Sequence, residues 1–314
     1  MSYTYHAYGL TIRVPFACPA LTPADAGCVA PAVDDTGIDV TAVDVVVREG
    51  LVPRRLRAPQ ASEASWDAAQ GLFLLRGGRR AGRFLVEAGA VTFERNSGCE
   101  DAILARCFTD QVLAALLRHR GLLVLHANAV EVSGGVIVIG GESGTGKSTT
   151  LAALRDRGGR MLSDDVTALR PGAAPESVDV LPGVAQTHLA QDAAQGLGYT
   201  VDQAQLQPWR RMKAAIPTHD GMARRAGRLR ALYVLRLSRG DDVVVTKANG
   251  GDKFHALQEC IYGPMFTEEH PALLPLMSTV VNTVPFFWLE RPTGRWSIGE
   301  VGDAILGSVP ELVP

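Results

Sequence analysis

Four β-branched residues in a row, Val136-Ile137-Val138-Ile139, run straight into Gly140-Gly141-Glu142-Ser143-Gly144-Thr145-Gly146-Lys147-Ser148, and no other junction constrains the chain as tightly. A short apolar run of this kind reads as a buried strand. Behind the glycines, Lys147 to Asp156 reads as a helix. Leu151 and Leu154 give it an apolar side, Arg155 and Arg157 suit its C-terminal end, and Gly158-Gly159 stop it. Strand, glycine turn and helix in that order leave a helix N-terminus facing the turn, with backbone N–H groups converging on one point. The fold class expected is therefore α/β.

The spacing from Gly141 to Ser148 is G-x-x-x-x-G-K-[ST], the pattern of a phosphate-binding loop. Glycines let the backbone bend so that several N–H groups point inward, into a concavity that side chains would otherwise fill. The candidate nucleotide-binding residues are Gly141, Glu142, Ser143, Gly144, Thr145, Gly146, Lys147, Ser148 and Thr149. Lys147 reaches the outer phosphates and the Ser148 hydroxyl ligates Mg²⁺, so ATP and Mg²⁺ are the expected cofactors. The flanking strand and helix set this match apart from a glycine turn that holds nothing.

Past the helix stop, Arg160-Met161-Leu162 begins a second short strand that ends in Ser163-Asp164-Asp165. In a right-handed β-α-β unit its end lies on the same sheet edge as the glycine loop. One carboxylate can then hold Mg²⁺, directly or through water, and the other can take a proton from an attacking hydroxyl. Two adjacent acids at a strand end also serve as a helix cap or a solvated turn, and it is the nearby loop that favours the chemical reading. Upstream, "GLLVLHANAVEVSGG" is a pair of apolar stretches closing on a hairpin. A two-residue turn at Gly134-Gly135 sets His126 opposite roughly Ser143, beside the loop. There an imidazole orients an aspartate or touches a phosphate; the alternative is a core histidine on a strand. An antiparallel partner beside the loop strand makes the sheet mixed.

With 46% hydrophobic residues the 314-residue chain has ample material for a core, as one large or two modest domains. A formal net charge of −2 argues against a nucleic-acid binder relying on bulk electrostatics. Cys18, Cys28, Cys99, Cys107 and Cys260 are an odd set without a C-x-x-C pair, which suggests neither zinc nor a disulfide framework. No secretory pattern opens the chain and no apolar run approaches about 18 residues, so no membrane partner and a bacterial cytoplasmic location are expected.

Residues 1–100 read as a β-rich N-terminal domain, with "GLFLLRGGRRAGRFLVEAGAVTF" alternating strand and glycine turn as a meander, and residues 101–314 as the domain of the loop. Ala102 to His119 is a helix candidate with Ile103, Cys107, Val112, Leu113, Leu116 and Leu117 on its apolar side. Pro171 to Val180 reads as a loop, and Leu181 to Gly198 as a turn and short helix. In "PWRRMKAAIP", Arg210, Arg211 and Lys213 concentrate the cations that phosphoryl transfer needs, Lys213 first and Arg211 second; a solvated basic loop is the alternative. "ARRAGRLR" at 223–230 reads as a solvated flank before the strand "ALYVLRL". Strands "DDVVVTKA" and "PFFWLERP" and helices near 252–263, 268–282 and 297–307 complete the layer.

The order of His126, hairpin, Gly-Glu-Ser-Gly-Thr-Gly-Lys-Ser, short helix and Ser-Asp-Asp resembles the HPr kinase/phosphorylase superfamily, bacterial serine kinases with a core like that of phosphoenolpyruvate carboxykinase. "YHAYGLTIRVPFACPAL", "RGLLVLHANAV" and "LPGVAQTHLAQDAAQGLG" look like the HPr-kinase-related proteins of peptide natural-product clusters, including kinases of lasso-peptide precursors. The resemblance implies a mixed-sheet P-loop core and transfer of the γ-phosphoryl group of ATP to a serine hydroxyl. The implied acceptor is the C-terminal serine of a precursor peptide. It also implies Asp164 as base and Asp165 as metal ligand, with the two roles exchangeable, and a homo-oligomer. Pro182, Gly183, His188 and Asp192 fall on that group's Pro-Gly and downstream Asp pattern, which adds His188 and Asp192 to the substrate candidates. The chain departs from the pattern in lacking a long glycine-rich block after the aspartates and a tryptophan near Ala190, and in carrying His188 where a basic residue is usual. A free-serine-type small-molecule kinase uses the same chemistry, and a regulatory ATPase without a phosphoacceptor is the alternative of another class.

Overall fold

The computed structural model describes residues 2–24, 43–200, 206–207, 213–263 and 271–308. It is a mixed α/β structure with large mixed β-sheets and few helices. Contacts divide the chain into two units, Met1–Val124 with Pro264–Leu273, and Leu125–Gly263 with Leu274–Pro314.

In the first unit, β1 (Tyr3–Ala7), β2 (Leu10–Val14), β3 (Thr22–Pro23), β4 (Val45–Glu49), β5 (Ala61–Ser62), β6 (Trp66–Ala69), β7 (Leu72–Arg76), β8 (Gly82–Val86) and β9 (Ala90–Arg95) form one sheet, ordered β3-β1-β2-β4-β9-β8-β7-β6-β5. β7, β8 and β9 pair antiparallel in succession, the meander expected from their glycine-punctuated sequence. Alternation places Phe84, Val86, Val91 and Phe93 inward, and Phe16 meets Phe93 edge-on at 5.4 Å and Phe108 at 6.2 Å. A one-turn helix α1 (Gly78–Ala81) links β7 to β8, and α2 (Asp101–Cys107) and α3 (Leu113–His119) follow, joined through a π-helical turn at Phe108–Val112. The apolar helix anticipated over 102–119 is thus broken in pitch but continuous in direction, with Leu104, Leu113, Leu116 and Leu117 fully buried.

Within β6, Asp67 is a fully buried carboxylate. Asp67 accepts hydrogen bonds from the Arg55 and Arg76 guanidiniums, the Leu56 N–H and the Ser62 hydroxyl, all at about 3.0 Å. Burial pushes the carboxyl up, and these donors, Arg76 foremost, more than offset it, holding Asp67 well below the usual carboxylate range.

The division between the units falls within β10 (Leu123–Leu125), and the second unit continues with β11 (Asn128–Val132), β12 (Gly135–Gly141), α4 (Lys147–Arg155), β13 (Arg160–Ser163), β14 (Thr167–Pro171), β15 (Val178–Leu181), β16 (Gln186–Leu189), α5 (Gln191–Gly196), β17 (Leu206–Gln207), β18 (Lys213–Pro217), β19 (Gly227–Ser238), β20 (Val244–Ala248), α6 (Gly251–Cys260), α7 (Leu273–Thr283, all but its first residue), β21 (Phe286–Pro292) and α8 (Ile298–Ser308). Its main sheet runs β14-β15-β19-β12-β11-β13, with β21 beside β19 and β20 beyond β21. β12 is parallel to β19 and antiparallel to β11, and β11 is antiparallel to β13. The strands on either side of α4 therefore run in the same direction with one antiparallel strand between them. Val136–Ile139 are fully buried, and Ile137 and Ile139 pack with Leu151 and Leu154 of α4, Tyr233 of β19 and Val301 of α8. A separate small sheet, β16-β18-β17, carries His188 and Lys213.

Three local expectations are corrected. Val132 pairs with Gly135, so the hairpin turns at Ser133-Gly134. Gly134, with φ +88°, supplies the left-handed second turn position and leaves Gly135 free to join the ladder. The ladder ends at Asn128↔Ile139, so His126 lies beyond it at a bend rather than opposite Ser143, with its backbone N–H turned to the Cys260 carbonyl. Secondly, β19 begins at Gly227, so part of the basic flank at 223–230 is strand, recruited by β15 (Asp179↔Arg228) and β12. Thirdly, the loop expected over 171–180 closes sooner, because Pro171 pairs with Val178. Among the described residues no helix is long and apolar enough to cross a membrane.

Candidate active site

β12 delivers the chain into the glycine loop with every apolar residue buried. Gly141 has φ +128°, and a Cβ there would lie 2.5 Å from the Leu235 carbonyl oxygen, so only glycine fits between β12 and β19. Glu142, Ser143 and Gly144 are exposed at the tip, while Thr145 turns inward and donates its hydroxyl to the Glu142 carbonyl at 2.8 Å. No side chain caps α4, whose N-cap is Gly146. The N–H groups of its first turn, including those of Ser148 and Thr149, are left for an anion.

Lys147 is buried and folds back over the loop, donating from Nζ to the carbonyls of Gly141 (2.8 Å) and Glu142 (3.2 Å). Burial lowers its pKa, Asp165 and Asp164 counter that, and the Lys213 charge adds to the lowering. Lys213, at the start of β18, is thereby placed within electrostatic reach of the loop lysine. Arg211 and its neighbour Arg210 lie outside the described residues.

Directly after β13, Asp164 sits 5% exposed at the foot of α4. Its Oδ1 accepts the Ser148 hydroxyl at 3.0 Å, and its Oδ2 accepts the Thr187 hydroxyl (2.7 Å) and the His188 N–H (2.8 Å). Burial, then the charge of Asp165, push its carboxyl up to about 6. Asp165 is half-buried and held in the left-handed region (φ +67°), with its N–H donated to Asn128 Oδ1 at 3.2 Å. Such a conformation is uncommon outside glycine, and Asp tolerates it better than most residues.

His126 is half-buried; its N–H donates to the Cys260 carbonyl at 2.6 Å, and its ring lies 5.7 Å from that of Tyr262. His188 reaches the site through its backbone while its side chain is buried. Asp192 is not drawn in: it is exposed on α5, where its carboxylate accepts the Ala193 N–H at 2.8 Å.

Three polar side chains join the site that sequence reasoning missed. Asn128 stands polar in the apolar run "LHANAV", two residues past His126, which was a usable signal. Arg291, next to last in β21, donates from Nε to the Thr145 carbonyl at 2.6 Å. Finding it requires knowing that β21 runs parallel to β19 and so finishes at the loop's edge. Thr187 gives no signal at all, since it arrives through β16, whose pairing with β18 is tertiary.

The donor set suits Mg²⁺. Ser148 and Asp164 offer hard oxygen ligands 3.0 Å apart. Among the described residues no cluster of three His, Cys, Asp or Glu side chains forms a self-sufficient metal site. This is how Mg²⁺ is usually held beside phosphates, by one or two protein oxygens, the nucleotide and water.

No protein-family model matches the chain, and no curated protein matches it. Among solved structures it is similar to the Hpr(Ser) kinase/phosphatase from Coxiella burnetii, at 13% sequence identity and a TM-score of 0.30, over 59% of this chain and 94% of that one.

Proposed function

We propose that this chain is an ATP- and Mg²⁺-dependent phosphotransferase that passes the γ-phosphoryl group to a serine hydroxyl, the C-terminal serine of a precursor peptide. The observation that carries the reading is the Ser148–Asp164 contact at the foot of an uncapped helix whose loop lysine is buried over the glycines. In this reading the loop N–H groups and Lys147 hold the outer phosphates, and Mg²⁺, when bound, would supply further positive charge against them. Ser148 and Asp164 would hold that ion, with Thr187 and the His188 N–H fixing the carboxylate from behind. Asp165 takes the acceptor proton as the serine oxygen bonds to the γ-phosphorus and the bond to the bridging oxygen breaks, releasing ADP. This exchanges the roles that the sequence resemblance implies, because Asp164 is buried against the loop serine whereas Asp165 is half-exposed, where an acceptor hydroxyl can approach. Lys213 contributes a second cation near the transferring group.

The peptide acceptor rests on the likeness of "YHAYGLTIRVPFACPAL" and "LPGVAQTHLAQDAAQGLG" to precursor-peptide kinases. The test is mass spectrometry of candidate precursor peptides, with and without a C-terminal serine, after incubation with protein, ATP and Mg²⁺. A gain of phosphate mass that requires the serine supports the reading. ATP consumption with no peptide gain moves it to a small-molecule acceptor or to an ATPase.

A further inference from the structure

Asn128 is a polar residue at a position where its neighbours are apolar. It pairs with Ile139, and both Ile139 and Val130, two residues further along β11, belong to the core that α4 covers. Asn128 therefore lies on the α4 side of the sheet, with 0% exposure. Its Oδ1 accepts the Asp165 N–H at 3.2 Å, which sets the orientation of the amide. Its Nδ2 is buried with no hydrogen-bond partner among the described residues. An amide left unpaired in the interior costs stability that an apolar residue of the same shape would not.

The oxygen of that amide holds a strained turn. The Asp164 carbonyl accepts the Val166 N–H at 2.9 Å, so the chain reverses over three residues with Asp165 at the centre, at φ +67°. Such a γ-turn is rare and strained. The ladder between β11 and β13 ends at Ala129↔Ser163, which leaves Asn128 as the β11 residue beside the turn. The far side of the turn is tied to the same strand end. Thr167 donates its hydroxyl to the Ala127 carbonyl at 2.7 Å and lies 2.7 Å from the Ser163 hydroxyl. Backbone strain of this kind persists only where surrounding contacts impose it, and it gathers at reacting centres.

The geometry points to Asn128 as a positioning residue that acts through Asp165. Oδ1 holds the turn that presents the Asp165 carboxylate. Nδ2, on the same amide carbon, is the donor which that carboxylate takes up when its side chain rotates toward the acceptor hydroxyl. A carboxylate fixed at both backbone and side chain meets the hydroxyl in one geometry, and misplacing such a group by about 1 Å can cost on the order of 10²-fold in rate. This role rests on Asp165 taking the acceptor proton.

The test is a mutant cycle on the full chain with Asn128→Leu, Asp165→Asn and the double variant. It reads ADP release from ATP and Mg²⁺, with water and with a synthetic peptide ending in serine as acceptors. Leu matches Asn in shape, so Asn128→Leu is expected to melt at or above the wild-type temperature, and Asn128→Ala replaces it if it does not fold. Turnover in Asn128→Leu is expected to fall on the order of 10²-fold with KM for ATP within about twofold of wild type. The double variant is expected to be no slower than Asp165→Asn alone, since residues acting as a unit are not additive. Amide exchange over residues 163–167, followed by mass spectrometry, is expected to quicken in Asn128→Leu. Wild-type turnover or a change in KM alone in Asn128→Leu, a double variant slowed by the product of the two single effects, or unchanged exchange over the turn overturns the role of Asn128 and leaves Asp165 as base. Wild-type protein that releases no ADP, or Asp165→Asn at the wild-type rate, overturns the base assignment and this role with it.

Discussion

Asp164 and Asp165 are adjacent in sequence and differ in nearly everything else. The first is buried with three donors on its two oxygens, the second half-exposed on a left-handed backbone. If Asp164 holds the metal side and Asp165 the proton, Asp164→Asn should raise the Mg²⁺ concentration needed for half-maximal rate. Asp165→Asn should lose on the order of 10²-fold or more in transfer rate, the usual share of a general base, with Mg²⁺ dependence unchanged. Magnesium titrations of both variants decide it, and the opposite pattern returns the roles to the order implied by sequence resemblance. Stability carries a second signature. The carboxyl of Asp164 lies at about 6 in the folded protein against an ordinary 3.8, so between those values the folded state keeps a proton that the unfolded chain has released. Metal-free stability must then fall as pH rises through that window. Denaturant melts without Mg²⁺ should show this slope in the wild type and not in Asp164→Asn.

At the level of elements, the loop is a junction of three strands rather than a free turn. β12 supplies it, β19 crowds Gly141 so closely that a side chain cannot enter, and β21 brings Arg291, whose guanidinium holds the Thr145 carbonyl. Gly141→Ala should cost several kcal/mol, combining roughly 1–2 kcal/mol for the left-handed backbone with a backbone clash. Arg291→Ala should leave the melting temperature within a few degrees yet weaken nucleotide binding about tenfold, by loosening the loop that presents the N–H groups. Calorimetric titration of a non-hydrolysable ATP analogue, alongside thermal melts, reads both. A variant at 291 with wild-type affinity would show that the loop holds its shape without the brace. Local signals made much of this legible in the sequence: β12, α4 and β13 follow from β-branched runs and a glycine stop, and the meander β7 to β9 from its turns. The parts that escaped depend on partners distant in the chain. β14 and β15 close a hairpin across 171–178, and Thr187 and Lys213 meet the site only because β16 pairs with β18. Neither pairing leaves a periodic trace, since each strand is short and its neighbour is chosen by tertiary packing.

For the whole molecule, the division into two contact units predicts how it comes apart. Each unit has its own sheet and core, so heating need not produce one all-or-none transition. The two carry distinct handles. All the phosphate-loop residues and both aspartates belong to the unit of Leu125–Gly263 and Leu274–Pro314, whereas the Asp67 cluster belongs to the other. ATP analogue with Mg²⁺ at one hundred times its dissociation constant should stabilise the loop-bearing unit by about 2.7 kcal/mol and leave the N-terminal unit where it was. Asp67→Asn acts on the N-terminal unit. Because the folded pKa of Asp67 is depressed, its contribution is present above the ordinary carboxylate value and is lost as pH falls. The variant should therefore be destabilised by about 1–3 kcal/mol at pH 7, as when charge-assisted hydrogen bonds are weakened, and by less in acid. Differential scanning calorimetry of wild type and variant, each with and without nucleotide at pH 7 and again well below the ordinary carboxylate value, follows both handles together. Two transitions that respond separately would show independent folding units. A single transition moved by both ligand and mutation would show that the units unfold as one body, and the change in Asp67 would then register as weaker binding of the ATP analogue near the melting temperature.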